Sequence, residues 1–283
     1  MAEREVRYEF GSNWKSFVES SLNETRVANA VDSLRRFLQM DSLEGRTFLD
    51  IGCGSGLFSL AACLIGAEKV TSFDYDPDSV GTTTAMRDRH GIPEARWSVE
   101  RNSVLDEVFM HSLPLADVVY SWGVLHHTGD MWKAIDLAAG RVKPGGLFAI
   151  AIYNRVDRFP DRSTMWWSIK RFYTSSAAPV RALMEFAYAA NHFLTRLISL
   201  RDPFKPFINK DGEGRRGMEF WHDMRDWLGG FPYEFATAGE IFEYVHQKHG
   251  YQLERLTTVE GNACHETVFR RPLTPSGAST SAS

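Results

Sequence analysis

The chain has 283 residues, 43% of them hydrophobic, and its 32 Lys and Arg against 36 Asp and Glu give a formal net charge of −4. That composition is globular, and the length allows one large α/β core or two smaller ones. The weak negative charge disfavours nucleic acid, whose binding draws mainly on phosphate neutralisation, and the three cysteines, Cys53, Cys63 and Cys264, lack the spacing of a disulfide framework or a zinc knuckle.

Residues 1–46 read as an N-terminal helical cap. The opening MAEREVRYEF is charged throughout and has no apolar h-region, so no signal peptide is expected there and the chain reads as cytoplasmic. Val27, Val31, Leu34 and Leu38 form an apolar stripe at helical spacing that should dock on the sheet domain, with Trp14 and Phe17 ahead of it. No run of eighteen apolar residues exists, so no stable membrane insertion is expected.

Thr47–Ile51 (TFLDI) reads as a buried strand. It runs straight into Gly52-Cys53-Gly54-Ser55-Gly56 and then an apolar helix that Gly66 should stop. Four further strands are predicted: Val70–Asp76, Ala95–Glu100, Ala116–Trp122 and Leu147–Tyr153, the last preceded by the turn Val142–Gly146. Helical patterns at Pro77–His90 and Asp130–Arg141 lie between them. This alternation over 47–153 predicts a doubly wound, mostly parallel sheet. The pattern then stops, and residues 154–236 read as a helical insert longer than an ordinary connection. It returns over 237–271, with a helix from a Thr237 cap to Gly250 and two closing strands, YQLERLTTVE and HETVFRR, for seven strands in all. Residues 272–283 are low-complexity and read as a disordered tail.

The glycine spacing carries chemistry. GxGxG preceded by Asp50 differs from the GxGxxG of a diphosphate cradle, and it suits a ligand with an amino acid end and a nucleoside end. Asp74, about twenty residues on, stands where a carboxylate can accept both hydroxyls of a ribose. His126 and His127 follow the fourth strand at the carboxyl edge, where open α/β sheets bind ligands. Adjacent histidines cannot share a helical face, so at most one should reach an acceptor. The alternative is that they cap and pack the next helix.

FLDIGCGSG, SFDYD, DVVYSWGVLHHTGD and VKPGGLFAI, in this order and spacing, resemble the class I S-adenosylmethionine-dependent methyltransferases over Thr47–Tyr153, with the likeness resuming at Thr237–Arg271. The resemblance implies a Rossmann-like fold and S-adenosyl-L-methionine as cofactor. It implies that Asp50 and the Gly52, Cys53, Gly54 and Gly56 loop hold the methionine end, Asp74 the ribose, and Tyr75 the adenine. Ser121 and Trp122 would close over the methionine portion, and a segment such as that around Trp14 would fold over the cofactor. Where the family has an acid after strand three, this chain reads Asn102-Ser103-Val104, so Ser103 or Asp106 would reach the adenine instead. Cys53 reads as a small residue in a tight turn, and no cluster points to a catalytic metal.

Such an enzyme mainly holds the nucleophile in line with the sulfonium methyl, and His127 or His126 could act as general base. The expected acceptor is a small molecule methylated on O or N, less readily C, such as a specialised metabolite or sugar moiety. A lipid-like quinone at a membrane surface and a non-catalytic binding role are the alternatives; the state is monomer or homodimer. Within the insert, Ala178–Ile198 is amphipathic and could pack against the lid or a partner subunit, lie on a membrane, or wall an apolar pocket. WHDMRDWLGGFPYEF (Trp221–Phe235) mixes aromatics with polar groups. One reading puts Trp221, His222 and Asp223 at the acceptor, with His222 a further catalytic candidate. Tyr153 and Asn154 would then stand opposite, and Trp227 and Tyr233 at the rim. The other reading is an aromatic hinge.

Overall fold

The computed structural model describes residues 24–205 and 220–273, apart from the side chains of His222 and Asp223. Trp14, Phe17 and nearly all of the 272–283 tail lie outside the described residues.

Seven strands form one sheet in the order β3-β2-β1-β4-β5-β7-β6. They are β1 (Thr47–Ile51), β2 (Lys69–Asp74), β3 (Trp97–Arg101), β4 (Ala116–Trp122), β5 (Val142–Tyr153), β6 (Gln252–Thr257) and β7 (Cys264–Arg270). β1 to β5 pair in parallel, and β7 lies antiparallel between β5 and β6. The predicted sheet is the observed one, with strand ends displaced by one to five residues in β2, β3, β5, β6 and β7. β2 stops at Asp74 because Asp76 caps the following helix, accepting from the Asp78 amide, with Pro77 at its first position. β5 starts at Val142, inside the stretch read as a turn. The register slips between Ala116 and Val118, Gly145 takes φ 78°, and Gly145 and Gly146 bond Arg271 across the sheet, so the chain bulges there without leaving it.

The helices are α1 (Glu24–Leu38), α2 (Leu57–Leu64), α3 (Pro77–Arg89), α4 (Glu107–Ser112), α5 (Met131–Ala139), α6 (Ser163–Ser175), α7 (Ala178–Ile198), α8 (Phe220–Gly229) and α9 (Ala238–His249). Strand alternation sends Phe48, Val118, Tyr120 and Ala149 to one face, where Leu34 and Phe37 of α1 and Leu60 of α2 cover them. Leu49, Val119, Phe148 and Ile150 face the other side, under Ala134 and Ile135 of α5 and Ile241 and Val245 of α9. α9 opens with a capping box, Thr237 with Glu240, and stops at Gly250 in the left-handed region. α6, α7 and α8 have a smaller core of their own: Tyr173, Ala189, Met224 and Leu228. The chain leaves and rejoins the sheet at one point: Asn154 and Ala236 form a parallel bridge, and the Ala236 amide donates to the Tyr153 carbonyl at 3.0 Å.

Candidate active site

The glycine loop closes β1 onto α2. Gly52, Gly54 and Gly56 all adopt positive φ, at 75°, 55° and 76°, a region that a side chain rarely tolerates. Two of them also lack room. A Cβ on Gly52 would run into the Val124 side chain, and one on Gly56 would come within 2.9 Å of Thr83 Cγ2. Between them Cys53 is buried, receives the Thr83 hydroxyl at its sulfur (3.3 Å), and has its thiol pushed well above the ordinary value by burial. The thiol is thus held in its protonated, less nucleophilic form.

At the end of β2, Asp74 Oδ2 accepts the Gly54 amide at 3.0 Å and Oδ1 accepts the Asp76 amide at 2.9 Å. The Tyr75 amide also bonds this carboxylate, and of its about four acceptor positions at least one remains for a hydroxyl group. Burial raises its pKa to about 6 against these stabilising amides. Tyr75 beside it is 52% exposed and offers a ring face. This donor and acceptor set fits a nucleoside with a free ribose edge, and the glycine-rich loop, with Cys53 and Ser55 buried, leaves backbone for its amino acid end.

Several expected ligand residues are otherwise engaged. Asp50 is buried and takes a hydrogen bond from Ser59, which continues through Ser72 (2.8 Å) to the Trp97 indole (2.8 Å). Burial lifts its pKa to about 7. It anchors α2 to β1 and β2. Ser121 is fully buried and donates to the Ile51 carbonyl (3.0 Å), because strand parity turns it into the sheet. Trp122 points to the α1 side and its indole donates to Glu266 (3.2 Å). Asp106 caps α4 through the Phe109 amide. Ser103 accepts from the Leu105 amide (3.1 Å) and keeps a hydroxyl proton to donate, while Val104 is buried beside it.

The histidine pair lies on a single 3-10 turn, Leu125–His127, directly after Val124. His126 is fully buried, and its Nδ1 accepts the Tyr153 amide at 3.3 Å. His127 Nδ1 lies 2.6 Å from the Pro232 carbonyl oxygen. Around them an aromatic box is built from distant segments. The Tyr153 ring lies 4.1 Å from that of His126, 5.5 Å from His127, 5.7 Å from Trp227 and 5.2 Å from Tyr233. Lys170, from α6, is fully buried against it: its Nζ donates to the Trp227 carbonyl and sits 3.8 Å from the Trp227 ring centre and 4.8 Å from that of Tyr233. Burial lowers its pKa to about 7.

The WHDMRDWLGGFPYEF stretch divides between α8 and this site. Its second half docks on the histidine turn: the Glu234 amide donates to the His126 carbonyl (2.9 Å), and the Glu234 carboxylate takes the Gly129 and Met131 amides. Trp227 and Tyr233 therefore reach the box. Trp221, at the start of α8, is 42% exposed and turned by its helical position from Trp227, and it is not part of the box. Asn154 has a structural role: its amide donates to the Val259 and Gly261 carbonyls (3.1 Å each) and accepts from His265 (2.7 Å), fastening the β6–β7 loop. Lys170 and Glu234 were missed. The only sequence signal for Lys170 is Trp166 one helical turn before it on α6.

A family described as a methyltransferase domain matches residues 22–187. The chain is 34% identical over 115 residues to the ribosomal protein L11 methyltransferase of Pseudomonas aeruginosa strain LESB58, covering 41% of this chain and 36% of that one. It is 32% identical over 141 residues to the ubiquinone biosynthesis O-methyltransferase of Methylobacterium sp. strain 4-46, covering 48% and 54%. The chain thus spans about a third to a half of the length of these curated relatives. Among solved structures it resembles magnesium protoporphyrin IX methyltransferase from Synechocystis PCC 6803 with bound S-adenosylhomocysteine, at TM-score 0.52 and 13% identity over 92% of this chain and 93% of that one. An N-methyltransferase from Bradyrhizobium japonicum WM9 gives TM-score 0.50 and 13% identity over 93% and 99%. At such identities the likeness is one of fold.

Proposed function

The chain belongs to the class I S-adenosylmethionine-dependent methyltransferases, and on that premise we propose that it methylates an oxygen or nitrogen of a small-molecule acceptor bound between the histidine turn and the helical insert. The observation that carries this reading is continuity. Gly52 packs on Val124, Val124 begins the turn that ends at His127, and His127 faces the aromatic box. Cofactor loop and acceptor box are thus one short turn apart.

The cofactor, when bound, supplies an already activated sulfonium methyl. The chain's own residues hold and orient the partners. Asp74 takes the ribose hydroxyls, Tyr75 lies against the adenine, and the Gly52–Gly56 backbone takes the methionine end. Tyr153, Trp227 and Tyr233 exclude water and hold the acceptor so that its lone pair meets the methyl carbon in line. Bound by Asp74 and the Gly52–Gly56 backbone, the cofactor would give up its methyl to the acceptor's lone pair, the carbon–sulfur electrons staying with sulfur. His127 Nε2 takes the proton the acceptor loses. A panel of phenols, amines and hydroxylated ring compounds, read by mass shift and by S-adenosylhomocysteine release, tests the reading. No methylated product from any acceptor, with cofactor bound, would sink it.

One observation favours a second acceptor class, a lipid-like one. α7 turns large apolar side chains outward, with Leu183 66% and Phe186 71% exposed and Leu194 and Leu197 following on the same side. No helix among the described residues is long and apolar enough to cross a membrane. Sedimentation with anionic vesicles, lost in Phe186→Glu, is expected on this reading and absent on the first.

A further inference from the structure

A helix leaves its last carbonyls without partners inside the helix. In α8 two of them are taken by another helix of the insert. Lys170 Nζ donates to the Trp227 carbonyl, and the Thr174 hydroxyl donates to that of Gly229 at 3.0 Å. Lys170 and Thr174 stand one turn apart on α6, so one face of that helix holds the carboxyl end of α8 at two points. A lysine is almost never fully buried unless paired, and Lys170 is fully buried at this contact. Its amine donates there with or without the extra proton.

Past α8 the chain reaches the histidine turn with no slack. A Cβ on Gly230 would come within 3.0 Å of His127 Cε1 and 3.5 Å of its Nε2. Two residues on, the Pro232 carbonyl lies 2.6 Å from His127 Nδ1. Two further on, the Glu234 amide and carboxylate hold the backbone of the turn itself. Glu234 thus fixes the turn, while the place of the Pro232 carbonyl depends on where α8 ends. A carbonyl only accepts, so its place decides which ring nitrogen of His127 keeps the proton. Without such a partner a neutral imidazole divides between two tautomers. Only the one with its proton on Nδ1 leaves Nε2 to act as a base.

We propose that Lys170 and Thr174 are positioning residues for His127: they pin the end of α8 so that the Pro232 carbonyl holds the proton on Nδ1, and the ring has the tautomer of a base only while α6 and α8 are fastened together. That His127 is the base rests on the methyl-transfer reading; the control of its tautomer does not.

The test is the nitrogen NMR spectrum of the histidine rings in the full chain, without cofactor or acceptor, at about pH 8.5, where imidazoles are ordinarily neutral. The His127 signals are identified by their loss in His127→Gln. In the wild type they should be those of the Nδ1–H form. In Lys170→Met and in Thr174→Val the Nε2–H form should rise at least about fivefold relative to it. Thr174→Ser, which keeps the hydroxyl, should restore the wild-type pattern. Tyr173→Phe, on the same helix, loses a bond to Glu185 within the insert and should leave the His127 signals unmoved. With an acceptor found active, turnover should fall at least about fivefold in Lys170→Met and Thr174→Val while S-adenosylmethionine affinity is kept. Unmoved His127 signals in both variants overturn the proposal. An equal shift in Tyr173→Phe overturns it too, since any loosening of the insert would then suffice. A shifted tautomer with undiminished turnover overturns the positioning role. A shifted tautomer, but no methylated product from any acceptor with the wild type, sustains the control of the tautomer and removes the methyl-transfer reading instead.

Discussion

His127 donates its Nδ1 proton to the Pro232 carbonyl oxygen, 2.6 Å away, and this contact sets the chemistry of the ring. A carbonyl can only accept, so the proton sits on Nδ1 and the lone pair on Nε2. His126 is the reverse case. Its Nδ1 accepts the Tyr153 amide, so its proton sits on Nε2. Of the two adjacent histidines, only His127 has the tautomer of a base, and the Pro232 carbonyl imposes it.

His127→Ala should therefore lower turnover by about 10²–10⁴-fold with S-adenosylmethionine affinity kept. His126→Ala should chiefly lower the melting temperature, since it leaves the Tyr153 amide unpaired in the core. Single-turnover rates and calorimetry on both variants check the division; equal loss of turnover in stable proteins would contradict it.

Cofactor affinity should depend on Asp74 and on pH. Each charge-assisted bond to a ribose hydroxyl is worth about 1.5–3 kcal/mol, so Asp74→Ala should weaken S-adenosylmethionine at least about tenfold. The charged carboxylate is the better acceptor and its pKa is about 6. Affinity should thus fall as pH drops below about 6 in the wild type and stay flat in Asp74→Ala. Titrations at pH 5 and pH 8 read this directly. Gly54→Val is no clean test of the loop, because Gly54 sits at φ 55° and valine would strain the backbone before any ligand is met.

Asp50 and Lys170 should tilt stability in opposite directions with pH. The folded pKa of Asp50 is raised from 3.8 to about 7, so the stability it contributes is present below pH 4 and lost as pH rises towards 7, on the order of 2–4 kcal/mol. Asp50→Asn should remove that loss and gain on the wild type at pH 8. The folded pKa of Lys170 is lowered from 10.5 to about 7, so stability is lost as pH falls from about 10 to 7. Lys170→Met should gain on the wild type at pH 7 and gain less at pH 9.5. Denaturant midpoints at three pH values would show either slope or refute it.

Trp227→Ala should raise acceptor KM at least about tenfold while S-adenosylmethionine affinity holds, because it removes the ring that borders Tyr153 and supports Tyr233. Trp221→Ala should leave both within about twofold. Steady-state kinetics with any acceptor found active settles it, and the reverse ranking would put the acceptor at the other end of α8.

The parts of this site that were legible in the sequence are those whose cause is local. Gly52, Gly54 and Gly56 announce a backbone that no side chain fits, and Asp74 follows at the fixed interval of a strand and a helix. Asp50 and Ser121 were placed at the ligand by the family resemblance, and what the sequence did not show is that their side chains bond Ser59 and the Ile51 carbonyl. Lys170 was illegible for another reason. Its partner Trp227 is 57 residues away, and neither residue has any local mark of the other. The same holds for Glu234, whose carboxylate supplies the N-terminal amides of α5 from more than a hundred residues downstream.

The bridge between Asn154 and Ala236 gives the helical excursion a single doorway. Closing a loop costs about (3/2)RT ln n, so lengthening a turn of about five residues to about eighty takes only some 2–3 kcal/mol from the sheet. The small core of Tyr173, Ala189, Met224 and Leu228 offsets part of that from within the excursion itself. The sheet and its cofactor loop can therefore be inherited almost unchanged while the excursion is traded for another. Since Lys170 and Trp227 lie beyond the doorway, and Gly52–Gly56, Asp74, His127 and Tyr153 before it, one exchange would swap part of the aromatic box and leave the cofactor loop and the histidine turn in place.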